Sequence, residues 1–302
     1  MRILITGGTG LIGQALIQQL IQLEHQVVLL TRNKSIAKRR FSAPIPRLEN
    51  IVDDLDEINF NLIEAVINLA GEPIVNKRWT AKQKQVLCDS RWNLTAKLTE
   101  KILAADTPPG TLISGSAIGI YGRQGEQHVD ESFDDFYPEF SSDLCKEWEA
   151  LALKAQTDKT RVCLLRTGIV LAEQGGALAK MLPAFRLGLG GPIGNGQQVM
   201  SWIHIQDMVN LIVFLLNNDE LKGLFNATAP NPVSNTVFSK SLASELHRPC
   251  IFKVPAFVLK LVMGEMSDLL IYGQHVSPKR LLDAGFQFRY THIDQAFKNV
   301  LA

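Results

Sequence analysis

Short apolar runs alternate with longer stretches of helical spacing along most of this chain. Residues 3–6 form an apolar run that ends in glycines. Over residues 11–23 apolar side chains recur at Leu11, Ile12, Ala15, Leu16, Leu20 and Leu23, the spacing of one helix face. Residues 26–30 and 65–69 read as further strands, and 79–105 as a long helix stopped by Pro108, Pro109 and Gly110. Residues 111–114 form the next strand, 142–156 a second long helix and 162–166 another strand. Strands alternating with helices predict an α/β fold, a Rossmann-type doubly wound parallel sheet with helices on both faces and right-handed crossovers.

The texture changes over residues 174–198, where glycines and prolines crowd between a few helical residues, as in segments that cover a ligand. Residues 201–216 return to strand-then-helix character. The tail from Arg248 and Pro249 onward reads as a separate small lobe.

Composition narrows the function classes. The chain has 302 residues, 46% hydrophobic and 20% charged, which is ordinary globular usage and enough for a large core. A net charge of +1 gives no drive toward nucleic acid or an anionic membrane, so neither is expected as a partner. The one dense basic run, Lys38, Arg39 and Arg40 with Lys34 before it, lacks interleaved aromatics and reads as a solvated loop. Cys88, Cys145, Cys163 and Cys250 are scattered, and the six histidines do not cluster with them, so no metal site is expected. No signal peptide is visible, and 251–263 reads as a packed helix because Lys253, Pro255 and Lys260 interrupt it. The expected setting is cytoplasmic.

The strongest chemical signal is the stretch Thr6, Gly7, Gly8, Thr9, Gly10, Leu11, Ile12, Gly13. Gly7, Gly10 and Gly13 follow a predicted strand and open a predicted helix. Glycine there permits a tight turn and a close backbone approach to a pyrophosphate, and the helix start offers free N–H groups. Thr31 and Arg32 end the second strand, where NAD-binding folds usually place an acid for the ribose 2′-hydroxyl. A hydroxyl and a guanidinium suit a 2′-phosphate instead, which predicts NADPH over NADH. Asn68, Leu69, Ala70, Gly71 and Glu72 end the next strand with small residues that let the backbone lie against a cofactor. The expected division is a mainly nucleotide-binding domain over 1–170 and a mainly substrate lobe over 171–302, interleaved with it. Residues 201–216 are placed to rejoin the first, and about 249–297 to form a small C-terminal domain.

These segments together resemble the extended short-chain dehydrogenase/reductase family, the NAD(P)-dependent epimerase/dehydratase group. Leu164 to Gly168 and Ser201 to Asp207 look like its later signatures. Ala70 to Ile74 (AGEPI) and Phe185 to Gly194 (FRLGLGGPIG) resemble more narrowly an atypical "epimerase family protein" branch with a small C-terminal domain. The resemblance runs along nearly the whole chain. It implies cofactor contacts from Gly7, Gly10, Leu11, Ile12, Thr31, Arg32, Glu72 and Arg78, with Val170 near the nicotinamide. Thr9, Gly13, Ala70 and Gly71 join the candidates through the turns they occupy. It also leaves open a homodimer through the two long helices.

The family's chemistry uses a tyrosine as acid/base, a lysine four residues later and a serine. This sequence departs from that pattern. Ser116 is the serine candidate and Lys146 the lysine, but Ser142 stands where the tyrosine belongs. A serine hydroxyl is too weak an acid to replace it. Tyr121 can take the role only if its loop turns it toward the nicotinamide; otherwise it is an aromatic packed beneath that loop. Cys145 reads as a small core residue and His204 as a structural histidine, with Asp207 capping the helix that follows. Two functions stand open: an NADPH-dependent oxidoreductase or epimerase on a small carbonyl or sugar-like substrate, and a non-catalytic NADPH-binding regulator.

Overall fold

In the computed structural model, residues 1–41 and 47–302 are described. In chain order come β1 (Arg2–Thr6), α1 (Leu11–Gln22), β2 (Gln26–Leu30), α2 (Lys34–Arg40), β3 (Leu48–Val52), β4 (Ala65–Asn68) and α3 (Ala81–Leu103). Next are β5 (Thr111–Ala117), β6 (His128–Val129), α4 (Phe140–Leu153), β7 (Arg161–Thr167), β8 (Ile169–Leu171) and α5 (Gly176–Arg186). Then follow β9 (Val199–Met200), β10 (Trp202–His204), α6 (Ile205–Leu216), β11 (Gly223–Ala227), β12 (Val233–Ser234) and α7 (Asn235–Glu245). The chain closes with α8 (Ala256–Met263), α9 (Asp268–Ile271), β13 (His275–Val276), α10 (Lys279–Asp283) and α11 (Ile293–Val300).

The main sheet has seven strands in the order β11-β7-β5-β4-β1-β2-β3, every pair parallel. This is the doubly wound Rossmann-type arrangement. Strand order reverses between β1 and β4, and in such sheets a ligand binds beyond the strand ends at that point. Both faces are buried, which is why the strands read as continuous apolar runs. Ile3 and Ile5 of β1 pack against Leu16, Ile17 and Leu20 of α1 and Leu211 and Leu215 of α6. Leu4, between them, packs on the other face with Leu98 and Ile102 of α3 and Ala152 of α4. Each fully buried Leu or Ile contributes about 1.5–3 kcal/mol.

Several local expectations are corrected. The basic run is the last turn of a helix, α2, and not a loop. Leu23, placed on the buried face of α1, is the C-cap of that helix and 42% exposed. The stretch 251–263 is not one packed helix: Val254 pairs with Ile193, and α8, confined to Ala256–Met263, carries no buried residue, with Phe257, Leu261 and Val262 exposed. Asp207 does not cap α6. His204 is that cap, its Nδ1 accepting from Gln206 N at 3.0 Å. Asp207 lies in the first turn and accepts from the Arg289 and Tyr290 amides, both at 2.9 Å, pinning the C-terminal segment to α6.

The tail is knitted in at further points. β13 pairs with β6, and Arg280 donates to the carbonyls of Leu224 and Lys222 at the β11 edge, both at 2.7 Å. Phe297 of α11 packs edge-on against Phe238 of α7, with ring centroids 5.0 Å apart.

Candidate functional site

The C-terminal ends of β2, β1 and β4 lie side by side, and they carry the three candidate segments. Gly7 has φ +70°, and a Cβ there would come within 2.5 Å of the Leu69 carbonyl. A Cβ on Gly13 would meet Gly7 O at 2.4 Å and Gly8 Cα at 2.5 Å. Both obstacles are backbone, so only glycine fits. Gly10 is the N-cap of α1 and its N–H donates to Gly7 O at 2.9 Å. The helix start has no side-chain cap and no acid in its first turn. Its N–H groups and the positive end of its dipole are therefore open to an anion. Thr9 lies in this turn, and Leu11 and Ile12 begin the helix half-buried. Leu11 also lies against the turn at Gly175 and Gly176, so the glycine-rich cover meets the cradle there.

At the end of β2, Thr31 N donates to Val52 O at 2.9 Å and its Oγ1 accepts from Asn33 N at 3.3 Å. Arg32 projects outward with its side chain 83% exposed, its nearest carboxylate Glu72 at 3.8 Å. An ion pair so exposed contributes little, and the guanidinium is free to turn to another anion.

Beyond β4, the turn at Ala70, Gly71 and Glu72 is held from below. Ala70 N donates to Thr6 Oγ1 at 3.3 Å, and Glu72 N to Ser90 Oγ at 3.0 Å. Arg91 donates to Glu72 O at 3.0 Å, and a Cβ on Gly71 would sit 2.9 Å from its Cζ. Under this turn runs a buried polar chain that sequence reasoning missed. Thr6 Oγ1 donates to Asn68 Oδ1 at 2.6 Å, Asn68 Nδ2 to Thr95 Oγ1 at 2.9 Å, and Trp148 Nε1 to the same Thr95 oxygen at 3.0 Å. It ties β1 and β4 to both long helices.

The remaining cofactor candidates lie to either side. Val170 is half-buried on β8, paired in register with Ile203 of β10. Arg78 is exposed and set against Gly264, where a Cβ would come within 2.8 Å of its Nε.

Of the catalytic candidates, Ser116 and Tyr121 lie in one buried hydrogen-bonded chain through Glu149 and Arg166, while Lys146 lies at the surface. Ser116 is 4% exposed and donates to Glu149 Oε1 at 2.6 Å. Tyr121 is fully buried; its hydroxyl donates to Asn226 Oδ1 at 2.7 Å and accepts from Arg166 Nη1 at 3.1 Å. Burial raises its pKa above the ordinary tyrosine value, with Arg166 opposing in part. The loop thus turns Tyr121 into the interior. Ser142, in the tyrosine's place, donates to Ile120 O at 2.8 Å. Lys146 points outward, its Nζ 5.4 Å from the Phe136 ring centroid. Cys145 is a core residue: burial, with the Glu149 carboxylate adding, pushes its thiol up to about 12. His204 is likewise interior, stacked 3.8 Å from the Tyr290 ring.

Comparison with known proteins agrees with this geometry. Residues 3–227 match the model of the NAD dependent epimerase/dehydratase family, and residues 254–300 match a domain of unknown function, DUF1731. The chain is similar to the chloroplastic epimerase family protein SDR39U1 homolog of Arabidopsis thaliana, 40% identical over 100% of this chain and 87% of that protein. It is 34% identical to an epimerase family protein of Staphylococcus aureus over 99% of this chain and 98% of the other. Among solved structures, human epimerase family protein SDR39U1 (isoform 2) with NADPH superposes with a TM-score of 0.91 at 34% identity, covering 99% of both chains.

Proposed function

From the premise that this chain belongs to the NAD-dependent epimerase/dehydratase family, we propose that it binds NADPH and acts as an oxidoreductase on a small carbonyl or sugar-like substrate. One observation carries the nucleotide reading: beside a glycine cradle and an uncapped helix start, Arg32 stands exposed where an acid would select NADH. The turn from Gly7 to Gly13, Thr9 included, receives the pyrophosphate through backbone N–H groups, with Leu11 and Ile12 opening the helix behind it. Thr31 and Arg32 hold the 2′-phosphate. Ala70, Gly71 and Glu72 form the wall beside it, and Val170 and Arg78 lie toward the nicotinamide and substrate side. Bound NADPH would supply a hydride.

Proton transfer is where this chain departs from its family. Ser116, Tyr121 and Ser142 each engage a protein partner, so none holds a proton ready for substrate. Reduction of a carbonyl can draw its proton from water. Oxidation of an alcohol at neutral pH needs a base to remove one. This asymmetry favours a reductase over an epimerase. It also supports a second reading, a non-catalytic protein that binds NADPH and presents a regulated surface. In either case we propose a reducing, cytoplasmic setting; that the four cysteines are free thiols, three of them buried, supports the reducing part of it. Among the described residues no helix is long and apolar enough to cross a membrane.

The test is a titration of nucleotide-free protein with NADPH and NADH, followed by nicotinamide fluorescence. Selective NADPH binding that collapses in Arg32→Ala is expected, and binding of neither nucleotide would overturn the proposal. Oxidation of NADPH by any member of a carbonyl panel separates reductase from regulator.

A further inference from the structure

The fold gives Arg40 a specific neighbour. Asn33 caps α2, its Oδ1 accepting from Ile36 N at 2.9 Å, and the helix docks through buried Ala37. One turn on, along the same side, the Arg40 guanidinium donates to the carbonyl of Thr9 in the glycine turn. That carbonyl also accepts from Gln14 Nε2 at 2.9 Å. Lys34, by contrast, is held by Asp53 at 2.7 Å and Glu57 at 3.3 Å. Among the described residues no carboxylate lies within ion-pair reach of Arg40.

We infer that Arg40 is the second arm of a cation clamp on the ribose 2′-phosphate, opposite Arg32. The inference rests on the NADPH reading above and deepens it. A phosphate monoester carries about −1.5 to −2 charges near neutral pH. Arg32 faces it with Glu72 at its back, so the field from that side is partly cancelled. A second guanidinium supplies the missing charge. Arg40 gives up only a neutral carbonyl, which Gln14 still covers, and gains a charge-assisted pair. Both arms come from the single connection between β2 and the end of α2, so one βα unit sets the nucleotide preference.

The experiment measures NADPH and NADH affinity by calorimetry for wild type, Arg32→Ala, Arg40→Ala, Arg40→Lys and the double alanine variant. Arg40→Ala is expected to weaken NADPH about tenfold or more while NADH stays within about twofold, the NADH value reporting an intact fold. Arg40→Lys recovers part of the loss, and the double variant binds the two nucleotides alike. Equal weakening of both in Arg40→Ala would show that Arg40 only shapes the turn and would overturn the inference. So would wild-type selectivity that survives whole in Arg40→Ala, with the NADPH reading left standing. A wild type that binds the two nucleotides equally would overturn that reading itself, leaving Arg40 no phosphate to hold.

Discussion

Glu149 grips Arg166 through both carboxylate oxygens, Nε to Oε1 and Nη2 to Oε2, each at 2.9 Å, with neither residue more than 5% exposed. The pair joins α4 to the C-terminal end of β7, and the Ser116 hydroxyl donates into the same carboxylate. Its geometry is the bidentate fork that makes a buried ion pair tolerable. Removing one partner leaves the other charge desolvated and alone. Glu149→Ala is expected to cost about 3–5 kcal/mol in urea unfolding, and Glu149→Gln less, because the amide still accepts one bond. A Glu149→Ala protein as stable as wild type would mean that water reaches the pair.

The same network predicts what Ser116→Ala and Tyr121→Phe do. Each removes a hydroxyl from a buried chain that runs from Ser116 through Glu149, Arg166 and Tyr121 to Asn226. The expected loss is stability: about 1–3 kcal/mol for Tyr121→Phe, which leaves Asn226 Oδ1 without its donor, and about 1 kcal/mol for Ser116→Ala, where Arg166 still holds the Glu149 carboxylate. Nucleotide affinity should hold. If a carbonyl substrate is found, its turnover should change only severalfold. A fall of about a hundredfold in kcat at unchanged stability would put the hydroxyl back on the substrate.

Gly13→Ala tests the cradle without touching any charge. The added methyl meets Gly7 O and Gly8 Cα, and neither can move without opening the turn. NADPH and NADH should both weaken by about tenfold or more, unlike Arg32→Ala, where only NADPH is expected to suffer. Unchanged affinity in Gly13→Ala would place the nucleotide elsewhere.

The cradle was legible in the sequence because its physics is local. A buried parallel strand needs a continuous apolar run, as at Ile3, Leu4 and Ile5, and the turn after it tolerates only glycine at Gly7 and Gly13. β3 left no such trace. It is an edge strand whose Glu49 and Asn50 face solvent, so its pattern does not differ from a loop's. Arg40 was hidden for a related reason, since the meaning of a surface cation depends on what the fold brings beneath it. The polar interior is the extreme case. Asn68 is satisfied by Thr95 and Ser114, 27 and 46 residues away, and Tyr121 by Asn226, 105 residues away. No local pattern encodes such pairings.

His204 gives the protein a pH dependence. The ring is 2% exposed, its Nδ1 accepts from Gln206 N, and the proton therefore sits on Nε2, which makes no well-formed hydrogen bond among the described residues, although the Asn299 side chain beside it opposes part of the burial effect. Burial lowers its pKa from the ordinary 6.5 to about 4. Between those values the unfolded chain holds a proton that the folded chain excludes. Stability therefore falls as pH drops through that window, and the part that depends on a neutral His204 is gone below about 4. The shift corresponds to about 3 kcal/mol. His204→Asn keeps a cap for α6 and removes the titration. Urea unfolding at steps between pH 7 and pH 4 should show wild type losing about 3 kcal/mol more than the variant. Parallel curves would mean that the imidazolium finds a partner in the fold, and His204 would then be free to carry charge.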